Sequence, residues 1–233
     1  MSTPEKSDRI ELEFSEKYDQ PHAQRYLNKH RHGLARRLSH WREEQVNRRA
    51  LAMADDPDLV LDLPCGAGRF WRVLCERPNR VIMAADNSKD MLATALAEQP
   101  PEIVARVHGF QTSAFAIDLG ANAVDCIFCI RLLHHIESGE HRLAILREFH
   151  RVSRDTLIVS LWVDGNYKAW RRRRDDVKRV AQGHAPRRQR DRVLVARDVI
   201  ESEFSQTGWR IIGHIDFVPA YAMWRTYVLR KAA

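Results

Sequence analysis

Residues 60–70 read VLDLPCGAGRF, and the fold follows from how that run changes character. Val60, Leu61 and Leu63, broken only by Asp62, have the apolar density of a buried strand. Pro64, Gly66 and Gly68 cannot extend it, so the strand ends in a tight loop. The two glycines let the backbone turn and present its N–H groups, while Phe70, Trp71, Val73 and Leu74 open a helix whose N-terminus faces the same spot. Strand, glycine loop and helix in that order make a site for a nucleotide-like ligand. The next apolar run ends at Asp86, 20 residues beyond Gly66, and a carboxylate at that separation is placed to accept the two hydroxyls of a ribose.

Working outward, Asn87-Ser88 caps a helix that carries Met91, Leu92, Ala95 and Leu96 and stops at Pro100-Pro101. A strand is expected at 103–108, followed by a loop over GFQTSAFAIDLGANAVD. The run 124–131 is the most apolar in the chain and belongs at the centre of a parallel sheet. A helix from Ser138-Gly139 with Leu143, Leu146, Phe149 and Val152 on one face leads to a strand at 156–162. A helix over 195–207 ends at Gly208, and strands at 209–217 and 224–230 close the chain. Upstream, residues from Pro21 to Asp56 read as helix with a break at Gly33 and a patchy apolar stripe of Leu34, Leu38, Trp41, Val46, Ala50 and Leu51. The alternation predicts an α/β, doubly wound, seven-stranded, mostly parallel sheet. The expected organisation is a helical arm over 1–56 and a main domain over 57–233 that contains a basic insertion at 164–192.

A chain of 233 residues supports one such domain with a full core. Its net charge of +7 is unevenly spread: residues 164–192 carry +7 and residues 22–49 carry +6, which leaves −6 for the remainder. No apolar run is long enough to span a bilayer, and the N-terminus is acidic where a signal peptide needs an apolar stretch, so a cytoplasmic protein is expected. Cys126 and Cys129 form C-x-x-C inside a strand, which places them on opposite faces, and no cysteine has a His or Cys partner at ligand spacing. No metal site is expected.

A glycine loop with an acidic strand end fits both nicotinamide enzymes and adenosylmethionine enzymes. The helical arm before the motif, Trp71 at the third glycine position of G-x-G-x-x-G, and the closing order of strand, helix and two strands favour the latter. On these residues the sequence resembles the class I S-adenosylmethionine-dependent methyltransferases, in the small single-domain branch with a D-x-x-C-G-x-G loop. The resemblance covers 58–162 well and 195–231 by order of elements. It implies S-adenosylmethionine as cofactor, with Asp62, Cys65, Gly66 and Gly68 forming the loop at its methionine end, Asp86 and Asn87 at the ribose, and Met91 packing on adenine. Gln111 and Thr112 stand where relatives hold the adenine amino group with an acid, and Pro64 replaces the usual first glycine. Ile130 to His135, IRLLHHI, resembles the segment bordering the transferred methyl. Tyr18 and Tyr26 fall where many relatives close over the cofactor.

His134 and His135 are the candidates for general base, since imidazole titrates near neutrality; the rival reading is that one packs on the sheet and the other orders the loop. Arg131, Arg171 and Arg174 are the candidate substrate ligands, the last two from the basic insertion, whose rival reading is a solvated helix face. The expected activity moves a methyl group to an O or N atom of an anionic small molecule or phosphorylated glycolipid precursor. The alternatives are an RNA methyltransferase, with both basic segments on the RNA backbone, and a non-catalytic adenosylmethionine-binding module. A monomer or homodimer is expected.

Overall fold

The computed structural model describes residues 34–185 and 192–232. Tyr18, Tyr26 and the helix expected before Leu34 lie outside the described residues. The strands are β1 (Leu59–Asp62), β2 (Val81–Asp86), β3 (Val107–Gln111), β4 (Val124–Cys129), β5 (Ser153–Trp162), β6 (Trp209–Asp216) and β7 (Trp224–Lys231). They form one sheet in the order β3-β2-β1-β4-β5-β7-β6, parallel up to β5 and antiparallel where β7 pairs with β5 and β6. This is the doubly wound, seven-stranded α/β sheet expected from the sequence. A short turn joins β6 to β7, so the pair closes as a hairpin rather than by a crossover. The apolar run 124–129 occupies the middle of the sheet.

Helices cover both faces, as strands buried on both sides require. On one face α5 (Gly139–Val152) and α7 (Arg197–Gln206) bury Ile145, Leu146, Phe149 and Phe204 against Leu61, Ile127, Cys129 and Leu157. On the other, α1 (Leu34–Met53), α2 (Trp71–Leu74) and α3 (Lys89–Glu98) bury Val46, Ala50, Trp71, Leu74 and Ala95 against Val60, Ile82, Cys126 and Phe128. Cys126 and Cys129 thus face opposite layers, as the strand period requires. Only the C-terminal half of the α1 stripe reaches the sheet; Leu38 and Trp41 are exposed.

Several boundaries differ from expectation: β4 ends at Cys129 rather than at 131, β5 begins at Ser153 rather than at 156, and the third strand is displaced. Ile103 and Val104 belong to a single helical turn, α4 (Pro101–Val104), and the strand begins at Val107 and includes Gly109 to Gln111. Pro101 explains the shift, because proline at a first helical position is preorganised for helix. Helix α6 (Tyr167–Ala181) occupies the basic insertion, opened by Asn166, whose side chain accepts from Ala169 N at 3.0 Å.

Candidate active site

A cleft with a volume of about 210 Å³ opens at the carboxyl ends of β1, β2 and β4. Strand order reverses between β1 and β4, and the loops leaving a doubly wound sheet diverge at such a point and leave a crevice. The glycine loop forms one wall. Its Leu63–Pro64 peptide is cis, and Cys65 N donates to Ala85 O at 2.8 Å, which ties the loop to the end of β2. Gly66 has φ +53° and Gly68 φ +69°, a region that L side chains rarely adopt. Gly68 also packs against Trp71, whose ring would lie 2.8 Å from an added Cβ.

Two carboxylates stand behind this loop. Asp62 is buried and accepts from Trp71 Nε1 at 3.1 Å; burial holds its carboxyl well above the usual range, against the pull of that hydrogen bond, and the neighbouring Asp86 adds to the rise. Asp86 accepts from Gly66 N and Ser88 N, each at 2.9 Å, one per oxygen. Burial raises its pKa too, opposed by those backbone N–H groups. Each Asp86 oxygen retains a further lone pair for a ligand hydroxyl. A cationic or hydroxyl-rich ligand here would relieve two desolvated acids.

The cleft is also lined by basic residues. Arg69, Arg131 and Arg192 line it. Glu43 of α1 forms ion pairs with both Arg69 and Arg131, so one half-buried carboxylate aligns two guanidinium groups at the mouth. Arg131 has φ +71°, strained for a residue with a side chain, and its N donates to Ser160 Oγ at 3.0 Å. Its guanidinium lies 5.1 Å over the Trp224 ring, and that of Arg192 lies 5.3 Å over Trp162.

His134 and His135 form a single turn with ring centroids 3.9 Å apart. His134 is 2% exposed, packed edge-on to Trp224 at 4.6 Å, and its Nδ1 has no partner among the described residues. Burial pushes its pKa far down, and His135, Arg192 and Arg131 push it further, so the ring is neutral and a weak base. His135 is half-buried and also lines the cleft. The turn is held from below by a buried pair: Arg142 donates to Glu203 at 2.8 and 2.5 Å and to the carbonyls of Ile136 and Glu137.

Of the residues singled out from sequence, Asp62, Cys65, Gly66, Asp86, Asn87, Met91, Ile130, Arg131, His134 and His135 converge on the cleft. Gly68, Gln111, Thr112, Arg171 and Arg174 are not among its lining residues. Gln111 Nε2 donates instead to Asn87 O, and Thr112 Oγ1 to Ala116 O. The wall expected from them is made by Ser113, Ala114 and Phe115. Arg69 and Phe70 lie inside the stretch quoted first, yet only the turn of the loop reveals that they face the cleft. Glu43 carried no local signal, since it meets Arg131 across 88 residues.

Comparison with known proteins fits this geometry. Residues 60–156 match the family model described as a methyltransferase domain. The matched stretch starts at β1 and ends early in β5, and it holds the glycine loop, Asp86 and the histidine turn. A tRNA U34 carboxymethyltransferase of Shewanella frigidimarina is 31% identical over 117 residues, which span 47% of this chain but only 33% of that protein. The magnesium protoporphyrin IX methyltransferase of Synechocystis PCC 6803, solved with bound SAH, superposes with a TM-score of 0.73 at 13% identity, over 94% of this chain and 98% of the other. The [4+2]-cyclase SpnF superposes at 0.59 with 15% identity over 80% and 81% of the two chains. At such identities the superpositions establish the fold, and the cyclase illustrates that this fold hosts more than one chemistry.

Proposed function

We propose that this chain is an S-adenosylmethionine-dependent methyltransferase acting on an O or N atom of an anionic acceptor, a class that includes small acids and phosphorylated glycolipid precursors. The observation that carries the proposal is that both charges line one cleft: Asp62 and Asp86 together with Arg69, Arg131 and Arg192. The cofactor fits the two acids by its chemistry, a sulfonium cation with two ribose hydroxyls against two desolvated carboxylates and the open backbone at Gly66. When bound it supplies a methyl group activated by the positive sulfur.

The chain's own residues then act by positioning. Asp86 and the Gly66 loop hold the ribose, with Met91 and Phe115 as apolar walls. Arg131 and Arg192, flattened on Trp224 and Trp162, hold the acceptor's anionic group. His134 is a neutral packing group at the floor, and His135, with its access to solvent, is the imidazole that can receive the acceptor's proton.

An RNA acceptor is the second reading, favoured by the similarity to the tRNA carboxymethyltransferase. Incubation with methyl-labelled cofactor and a cell extract, separated into small-molecule, lipid and RNA fractions, decides between them. Label in the small-molecule or lipid fraction is expected, together with an Arg131→Gln, Arg192→Gln double variant that raises the acceptor KM at least tenfold and leaves cofactor affinity unchanged. Label in RNA alone establishes the second reading. No label and no cofactor binding by calorimetry would refute both.

A further inference from the structure

Helix α6 is mounted the wrong way round for an ordinary surface helix. Such a helix buries its apolar stripe and shows its charges. In α6 the side turned to the body carries Ala169, which is buried, and Arg172, Asp176 and Arg179, which are half-buried. Trp170, Val177 and Ala181, spaced to share one face, point away from it. Trp170 is 53% exposed, Val177 69% and Val180 55%. No described residue covers this stripe.

The charges are sorted as well. Asp175 and Asp176, the two acids of the helix, are half-buried, whereas Lys168, Arg171, Arg173, Arg174 and Lys178 are exposed. The outward surface therefore combines an apolar stripe with a border of net positive charge, in which Asp175 pairs with Arg171 at 3.9 Å and Asp164 with Arg173 at 2.6 Å. Arg174 lies over the Trp170 ring at 4.9 Å, which keeps a cation beside the largest apolar group. The patch continues onto the β6–β7 turn: Tyr167 stacks on Tyr221 at 5.7 Å, Tyr167 N donates to Ala220 O, and Val218 and Tyr221 are exposed. Trp224, at the start of β7 just beyond that turn, packs on His134 at the floor of the cleft.

We propose that α6 and the β6–β7 turn dock this protein on an anionic lipid bilayer surface. The arginines and lysines supply long-range attraction to acidic headgroups, and Trp170, Tyr167 and the valines enter the boundary between headgroups and acyl chains. A polyanion such as RNA would account for the basic border but would leave exposed Val177 and Val180 without a partner. Docking goes beyond methyl transfer and does not depend on it. It also reassigns Arg171 and Arg174, which stand outside the cleft, to the bilayer.

The test is co-sedimentation of the full chain with vesicles of phosphatidylcholine and phosphatidylglycerol in equal parts, against pure phosphatidylcholine, without cofactor. Binding to the anionic vesicles is expected, and it should weaken as salt is added. Arg171→Gln and Arg174→Gln should each lower it by roughly fivefold. The Trp170→Ser, Val177→Ser double variant should keep the wild-type Tm and bind at least tenfold more weakly. Equal binding to both vesicle types would overturn docking. So would undiminished binding by the double variant, which would mark a charge-only surface for polyanions. A variant that lowers Tm without vesicles would mean that the stripe is covered by another part of the chain, and one that converts a dimer to a monomer in ultracentrifugation would mean that it is covered by a second copy. Either result sinks the proposal.

Discussion

Asp86→Asn separates the two duties assigned to that carboxylate. Asp86 now accepts Gly66 N on one oxygen and Ser88 N on the other, both at 2.9 Å. Asparagine keeps one acceptor and turns an NH2 toward the remaining N–H. A hydrogen bond to a charged group contributes about 1.5–3 kcal/mol, but the buried carboxylate also carries a desolvation cost that the neutral amide avoids. The two largely offset, so the fold should lose about 1 kcal/mol, a fall of about 2–4 °C in Tm for a chain of this size. Ligand binding has no such offset. A ribose held through both hydroxyls loses at least one charge-assisted bond, about 1.5–3 kcal/mol, which is about 10–150-fold in Kd. Calorimetric titration with S-adenosylmethionine and S-adenosylhomocysteine, alongside thermal unfolding, reads both effects. A Kd within about twofold of wild type, with Tm lowered, would refute the ribose role and leave Asp86 as a brace for the glycine loop.

The two loop glycines should respond in opposite ways. Gly68→Ala combines a left-handed backbone with a Cβ 2.8 Å from the buried Trp71 ring, so it should cost about 2–5 kcal/mol in urea unfolding. Gly66→Ala meets nothing nearer than Met91 Cε at 3.6 Å and should cost about 1–2 kcal/mol, yet impair cofactor affinity more because it lies on the cleft; the reverse ranking would refute the packing account. His134 should destabilise the fold in acid. Its folded pKa lies below the unfolded value of about 6.5, so below that pH only the unfolded chain takes up the proton, and stability present above it is lost at about 1.4 kcal/mol per pH unit. His134→Phe should flatten the urea-derived stability profile between about pH 6 and pH 4 by that slope, and an unchanged slope would mean that the folded protein protonates His134.

Much of the fold is legible along the chain because it depends on local periodicity. The order of strands and helices, the central place of 124–129 and the glycine loop facing Asp86 all follow from apolar runs and the residues that interrupt them. Ile103 departs from the strand expected there because a one-turn helix and a strand look alike in a short apolar run, and Pro101 tips it to helix. The basic insertion can be seen as a helix, but not which way it faces, because a stripe of Trp170 and Val177 normally signals the buried side.

For the cleft, sequence alone determined the pairing of the glycine loop with its acid, since Gly66 and Asp86 belong to consecutive strand ends whose separation is set by one helix between them. The basic lining was decided only by the tertiary structure. Arg69, Arg131 and Glu43 come from three separate segments, and their ion pairs form because α1 packs over β6 and β7 and brings Glu43 to the loops that follow β1 and β4. The protonation of His134 was decided there too: an imidazole's pKa depends on how much water its neighbours exclude, and the Trp162 and Trp224 that exclude it arrive from β5 and β7.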